Sequence, residues 1–286
     1  MRVLRFLLYL ITPVFFFTVD AHAQFTLNGS ATQLGNSCYQ LTPNSTYSMG
    51  SAWSSALVSL NNSFDLQFDV YLGCFDSGAD GMVFGLQPVS TSAGSTGGGM
   101  GFSGITPSLG IEFDTYQNTN NGDPSYDHMA LIKNGDVNHN TTNTLFAPVQ
   151  INPTNVNVED CNYHTIRVIW DPTTLNLKAY FDCTLRIDYT FSTSPVSSIF
   201  SGNPNVYWGF AAATGGASNE HRFCLINNPF NSTTQYDTIC QGDSVQLTYS
   251  GGVSYQWSTG YGLSDSTIGN PYFSPDTSMI YGVTIN

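Results

Sequence analysis

Between Gly110 and Asp136 the chain reads GIEFDTYQNTNNGDPSYDHMALIKNGD. This window gathers Glu112, Asp114, Asp123, Asp127, His128 and Asp136 in a sequence where only 9% of residues are charged. Carboxylates crowded in this way repel one another unless a cation joins them. Ile111 and Phe113 alternate with Glu112 and Asp114, the period of a strand, so both carboxylates leave on one face. Tyr116 and Asn118 continue that phase. The stretch from Thr119 to Tyr126, rich in Asn, Gly, Asp and Pro, reads as a loop that returns Asp123 and His128 to the strand end. The chemistry on offer is a hard-cation cage of oxygen donors, with a second ion held through the histidine nitrogen.

The elements that must position these groups read as strands. Phe64, Leu66, Phe68 and Val70 alternate with Asp65, Gln67, Asp69 and Tyr71, the signature of a half-buried strand, and similar runs recur from Phe25 to Phe223 with no convincing amphipathic helix between them. Two long loops stand out, Ser90 to Gly101, made almost wholly of Ser, Thr and Gly, and Ala213 to Glu220, reading ATGGASNE. Loops of this composition are solvated connections or backbone-rich ligand sites. After Cys224 the composition shifts. Residues 227–238 read as a linker, and 239–286 open a second strand series around Tyr255-Gln-Trp257, similar to small immunoglobulin-like or PKD-like modules and reading as one cut short.

Composition narrows the partners. Arg2 and Arg5 precede an apolar run from Phe6 to Phe17, followed by Ala21-His22-Ala23, the pattern of a signal peptide over residues 1–23. The run is short of the roughly 20 apolar residues a membrane-spanning helix needs, and no later segment is longer. Setting 1–23 aside leaves 5 basic and 19 acidic residues, with two lysines and three glutamates. Such a chain does not neutralise phosphates, which excludes nucleic acid as a partner. It fits a secreted or surface-displayed all-β protein.

Six cysteines in an exported chain imply disulfides. Cys161 and Cys183 flank two alternating runs, Tyr163 to Trp170 and Leu175 to Phe181, joined by Asp171-Pro172-Thr173-Thr174. Folding about that turn brings them nearly opposite, so they are expected to pair. Cys38, Cys74, Cys224 and Cys240 cannot be paired from sequence.

Four segments in register carry a family resemblance over about residues 25–225. They are Ala79-Asp80-Gly81-Met82-Val83-Phe84, the run Gly97-Gly98-Gly99, Glu112 to Asn118 with Asp123-Pro124-Ser125 and His128, and Gly209 to Gly216. Their order and spacing resemble the L-type, legume-lectin-like lectins. The resemblance implies a concanavalin-like jelly-roll β-sandwich, with the small immunoglobulin-like sandwich appended. It also implies a Ca2+ site of Asp114, the Tyr116 carbonyl, Asn118 and Asp123, and a Mn2+ site of Glu112, Asp114, Asp123 and His128. A sugar would lie beside them. Asp80 would accept its hydroxyls, Asn118 and a backbone amide of Gly98 or Gly99 would donate, and the Tyr116 ring would stack. Gly216, Ala217, Ser218 and Asn219 would close the rim, and the Ala79-Asp80 peptide would be cis. The function so implied is calcium-dependent binding of a polysaccharide or glycoprotein sugar, without catalysis and compatible with an oligomer.

Departures from the pattern touch specificity. The glycine run continues Met100-Gly101-Phe102, which leaves open which glycine donates, and the rim sequence GGASNE does not transfer a sugar preference. The nearest rival is an enzyme on the same fold, since laminarinase-like glycoside hydrolases carry E-x-D-x-x-E on a strand. A retaining glycosidase needs two carboxyl groups roughly 5 Å apart. Gln117 stands where the second would be, and an amide neither ionises nor supplies a proton. A structural surface adhesin that has lost its ligand is the third reading. His139, His164 and His221 read as ordinary strand or loop residues.

Overall fold

The structure is a computed structural model that describes residues 25–286 except 36, 95–97, 227–228, 231–242, 247–253, 275, 278, 280, 282 and 286. The signal-peptide segment and nearly all of the expected linker therefore lie outside the described residues. Two antiparallel sheets face each other in a jelly-roll sandwich. The front sheet runs, in spatial order, through β1 (Phe25–Gly29), β4 (Met49–Ser54), β14 (Asn205–Ala213), β7 (Gly81–Gln87), β8 (Leu109–Asp114), β9 (His128–Lys133) and β10 (Thr144–Gln150), with β5 (Val58–Ser59) paired to β14. The back sheet runs through β13 (Thr184–Thr190), β12 (Asn176–Phe181), β11 (Tyr163–Asp171), β6 (Phe64–Tyr71), β15 (His221–Leu225), β3 (Cys38–Thr42) and β2 (Thr32–Gln33). Among the described residues the helical content is a turn at Thr119–Asn121 and another at Pro195–Ser198.

The back sheet follows the alternation its sequence announces. Phe64, Leu66, Phe68 and Val70 point inward, and on the outer face Arg167 reaches across to Asp65 and Thr165 Oγ1 donates to Asp69 at 2.7 Å. The inward rings meet those of the front sheet. Phe68 lies against Phe84 and Phe210, and Phe210 stacks on Phe223 with centroids 3.9 Å apart.

The front sheet differs, because β7 and β8 are buried on both faces. Their inward residues Phe84, Ile111 and Phe113 join the inter-sheet core, while Val83, Ala130 and Ile132 lie beneath a lid formed by Met100, Phe102 and Ile105. The Phe102 ring needs the absence of side chains at two cross-strand neighbours. A Cβ on Gly85 would lie 2.5 Å from it and one on Gly110 2.7 Å. The Ser, Thr and Gly loop is thus followed by an apolar cover that makes the outer face of β8 a dry environment.

The disulfide expected between Cys161 and Cys183 does not form. Cys161 bonds to Cys74, and Cys38 bonds to Cys224. Register explains the error. In the β11–β12 ladder Ile166 opposes Phe181, which puts Cys183 beyond the reach of Cys161. Cys161 instead extends the β11–β6 ladder past Tyr163 and Tyr71, where its N–H donates to Gly73 O and it meets Cys74. Cys183 is also disulfide-bonded, and with Asp182 it forms the two-residue turn between β12 and β13, both residues at positive φ.

The described C-terminal residues form two short ladders, β16 (Val245–Gln246) with β18 (Tyr272–Phe273) and β17 (Tyr255–Trp257) with β19 (Val283–Ile285). Trp257 is buried against Phe273 and donates its indole N–H to Ile268 O at 2.9 Å.

Candidate functional site

One row of residues crosses the end of the front sheet. Ala213 pairs with Gly81, Gly81 with Asp114, and Asp114 with His128. Two positions back along the same face Val83, Glu112 and Ala130 form a second row. The alternation read from the sequence therefore delivers Glu112 and Asp114 to one face, and it delivers them under the apolar lid. Glu112, Asp114, Asp123 and His128 are all buried.

The loop after β8 is folded by its own acids. Asp114 Oδ1 accepts the Tyr116 N–H at 2.8 Å, and Asp123 Oδ2 accepts the Asn118 N–H at 2.6 Å. These bonds use one oxygen of each carboxylate and leave the other turned inward. Asp123 Oδ1 and Glu112 Oε2 are buried without a hydrogen-bond partner, and Glu112 Oε1 meets only histidine nitrogens. Burial raises Asp114 well above the usual carboxylate range, with the neighbouring charge of Glu112 adding to it, and burial likewise raises Asp123. Both shifts express the same fact, that negative charge here is buried away from water. Converging oxygen atoms that are buried and unpartnered fit a divalent cation, as does the histidine beside them.

His139, read from sequence as an ordinary loop residue, belongs to this cluster. Its Nε2 lies 3.0 Å from Glu112 Oε1, 3.0 Å from His128 Nε2 and 3.7 Å from Asp123 Oδ1. Asp136 does not face the site. It accepts from Asn138 N, Thr141 Oγ1 and Asn143 Nδ2, and so folds the loop after β9 that carries His139 back to His128. Those hydrogen bonds, with His139, hold Asp136 below the usual carboxylate range even though burial opposes it. The sequence signal was an Asn- and Thr-rich turn, DVNHNTTN, whose Asp can organise it, but nothing in that run says that it doubles back.

A second group forms around Asp80. The Ala79–Asp80 peptide is cis. Asp80 N–H donates to Ala213 O at 3.0 Å, and Asp80 O accepts the Thr115 N–H at 3.1 Å, so the backbone is held between the ends of β14 and β8. Gly81 follows at positive φ, and a Cβ there would lie 2.3 Å from Phe113 O. The Asp80 carboxyl is buried, which pushes it up to about 6, and its Oδ2 has no hydrogen-bond partner. A Cβ on Gly98 would lie 3.0 Å from Asn118 Oδ1 and 3.7 Å from Asp80 Oδ1, and one on Gly215 would lie 3.4 Å from Asp80 Oδ2. Asp80, Gly98, Asn118 and Gly215 therefore border one small space, with the exposed Tyr116 ring two residues from Asn118. Gly99 closes a tight turn, its carbonyl accepting from Phe102 N and Ser103 N.

The rim loop splits into two parts. Gly216, Ala217 and Ser218 lie at the surface, and Ser218 Oγ donates to Asn44 Oδ1 at 2.8 Å. Asn219 does not lie there, contrary to the sequence expectation of a ligand contact. It is fully buried, donates from Nδ2 to Phe75 O, and accepts the Cys74 N–H at Oδ1. Its Nδ2 also lies 3.3 Å from Glu159 Oε1, whose carboxyl is pushed up to about 9 by burial and by the adjacent Asp127. Asn219 thus ties the rim to the Gly73–Gly78 loop that leads into Asp80. An amide with this many backbone partners is indistinguishable in sequence from a ligand-binding one.

A family model described as the legume lectin beta-barrel domain, the L-type lectin domain, matches residues 18–227. The chain belongs to the L-type lectin family. The galactose-binding lectin of Arachis hypogaea is 44% identical over 62 residues, 20% of this chain and 23% of the peanut protein. The pesticidal crystal protein Cry22Aa of Bacillus thuringiensis is 31% identical over 102 residues, 35% of this chain and 14% of that protein. The chain thus spans under a quarter of either curated relative. Among solved structures, the lectin from Bauhinia forficata in complex with GalNAc has a TM-score of 0.58 at 20% identity, over 72% of this chain and 92% of that one. The Ca2+/Man3GlcNAc-bound exoplasmic/lumenal domain of VIP36 has a TM-score of 0.52 at 17% identity, over 75% and 86%. At these identities the structural likeness shows the shared fold, and the lectin domain's site is judged on its own residues.

Proposed function

We propose that this protein is an exported, calcium-dependent lectin that recognises glycans without transforming them. The observation that carries the reading is the space bordered by Asp80, Gly98, Asn118 and Gly215, into which an unpartnered Asp80 oxygen faces directly beside the buried acidic cluster. A sugar ring offers hydroxyls that need acceptors and donors together, and an apolar face that suits an aromatic ring. Asp80 accepts from two neighbouring hydroxyls. Asn118 and an amide of Gly98 or Gly99 donate, Tyr116 stacks, and Gly216, Ala217 and Ser218 set the rim. Asn219 acts from behind by holding the Asp80 loop.

Asp114, the Tyr116 carbonyl, Asn118 and Asp123 hold the calcium ion, and Glu112, Asp114, Asp123 and His128 hold a transition metal beside it. Bound metal supplies positive charge that fixes Asn118 and its loop before a ligand arrives, which lowers the ordering cost of binding. One monosaccharide makes few contacts, so affinity per site is weak, and repetition on a surface or in an oligomer raises the effective strength. Adhesion at a cell surface, with the residues after 239 forming an appended immunoglobulin-like or PKD-like module, fits that design. A glycosidase reading fares poorly, because Gln117 points its amide toward Asp123 O at 3.4 Å and brings no second carboxyl group.

The test is calorimetric titration of Ca2+ into metal-stripped protein, followed by a glycan array with and without EDTA. Calcium uptake with EDTA-sensitive glycan signals is the expected result. Calcium uptake with a silent array would replace the lectin by a structural adhesin, and no uptake would remove the proposal.

A further inference from the structure

We infer that His139 is itself a metal ligand, and that Glu112, His128 and His139 form the transition-metal site while Asp114 and Asp123 stay with the calcium ion, so that two imidazoles and one carboxylate suit the site to Zn2+ rather than Mn2+. The inference rests on the reading of this cluster as metal-binding and adds a ligand that changes which ion is selected. Three atoms converge. His139 Nε2 is 3.0 Å from both His128 Nε2 and Glu112 Oε1, and His128 Nε2 is 3.7 Å from Glu112 Oε1. Donors bonded to one zinc ion at roughly 2.0–2.1 Å in a tetrahedron stand about 3.3 Å apart, and these separations lie on either side of that value.

The bonding around His139 points the same way. Its Nδ1 lies 3.2 Å from Thr144 Oγ1, and that hydroxyl can donate onward to Asn138 O at 3.5 Å. With Thr144 accepting the Nδ1 proton, Nε2 keeps its lone pair facing the cluster. Holding the outer nitrogen of a ligating histidine in this way is what fixes its tautomer and ring direction in metal sites. The His139 N–H donates to Asn121 O at 2.8 Å, which anchors the loop. Two imidazole nitrogens 3.0 Å apart, with a buried Glu112 oxygen 3.0 Å from one of them, offer a single cation three donors at once. The rival arrangement is a protonated His139 paired with Glu112 and no ion at this position.

Nitrogen donors favour zinc over manganese at almost any site, so a preference for zinc alone does not decide the matter. The decisive quantity is how that preference changes when His139 is removed. The intact chain is stripped with EDTA, loaded with Ca2+, and titrated with Zn2+ and with Mn2+ in competition with a chromophoric chelator. The expected result is one Zn2+ per chain, with His139→Ser lowering Zn2+ affinity about 100-fold or more and Mn2+ affinity less than about 10-fold. Co2+ provides a second readout on the unaltered protein, since its visible bands report a low-coordinate, nitrogen-rich site. Equal losses of Zn2+ and Mn2+ in His139→Ser, or octahedral Co2+ bands in the unaltered protein, would overturn the inference while leaving the calcium-dependent lectin standing. A chain that takes up neither Ca2+ nor Zn2+ would overturn both.

Discussion

His164 is flanked by Asp160 and Asp182, much as His128 and His139 are flanked by Glu112 and Asp123. Both are histidine–carboxylate clusters on a strand end of the same sandwich. Around His164 both ring nitrogens are paired with carboxylates. Its Nδ1 meets Asp182 Oδ2 at 2.7 Å and its Nε2 meets Asp160 Oδ1 at 3.2 Å, while the same acids accept the N–H groups of Thr165 and Asn162. Asp160 and Asp182 are 37% and 45% exposed, which leaves both carboxylates open to solvent. Around His128 the carboxylates are dry and crowded, and Asp123 Oδ1 and Glu112 Oε2 have no hydrogen-bond partner. The difference teaches that residue type does not separate an ion pair from a metal cage. Burial without satisfaction does.

Metal removal should separate the two clusters most widely. Leaving three buried carboxylates without a counter-charge withdraws the stabilisation of bound ions, about 4 kcal/mol for an ion at a thousand times its dissociation constant. In a domain of this size that amounts to a fall in melting temperature on the order of 10 °C. A melting curve in EDTA, restored by adding Ca2+, is the expected observation, and replacing His164 should not change the size of the EDTA effect. A melting temperature indifferent to EDTA would make the two clusters alike.

Asp114 and Asp80 sharpen the contrast within the front sheet. Asp114 lies inside the acidic cluster, whereas Asp80 lies across Asn118 from it. Asp114→Ala is expected to abolish metal uptake and glycan binding together. Asp80→Ala is expected to weaken glycan binding by about 100-fold or more and calcium by less than about threefold, as losing a bidentate acceptor predicts. Equal loss of calcium in both variants would move Asp80 from the sugar pocket into the cage.

Much of this was legible in the sequence, and the places where it was not have physical reasons. Period-two alternation located β6 and the shared face of Glu112 and Asp114, because a strand's pleat is local. Four motifs in register indicated the lectin family, whose model matches the chain. What escaped was set by chain returns. The cysteine pairing turned on a three-residue difference in register at the start of β11, which no hairpin pattern reveals. His139 reaches the cluster only because Asp136 bends its loop backward, and Asn219 is buried only because the Gly73–Gly78 loop closes over it. The double burial of β8 depends on Phe102 crossing Gly85 and Gly110, a contact between segments far apart in the chain.

The smallest expected effect belongs to His164 itself. Burial alone would lower its pKa, but Asp182 and then Asp160 outweigh burial and raise it above the ordinary histidine value. A histidine raised on folding contributes stability that is complete below its unfolded value near 6.5, and loses it as pH rises through the higher folded value. Because both acids are partly exposed, water screens the pair and the contribution is about 0.2–1 kcal/mol. His164→Gln should therefore destabilise the protein by up to about 1 kcal/mol in urea melts at pH 5.5, and by less at pH 9. The ring also stacks on Phe181 with centroids 4.7 Å apart. A loss of equal size at both pH values would assign His164 to that packing, and its carboxylates would then be bystanders, unlike those around His128.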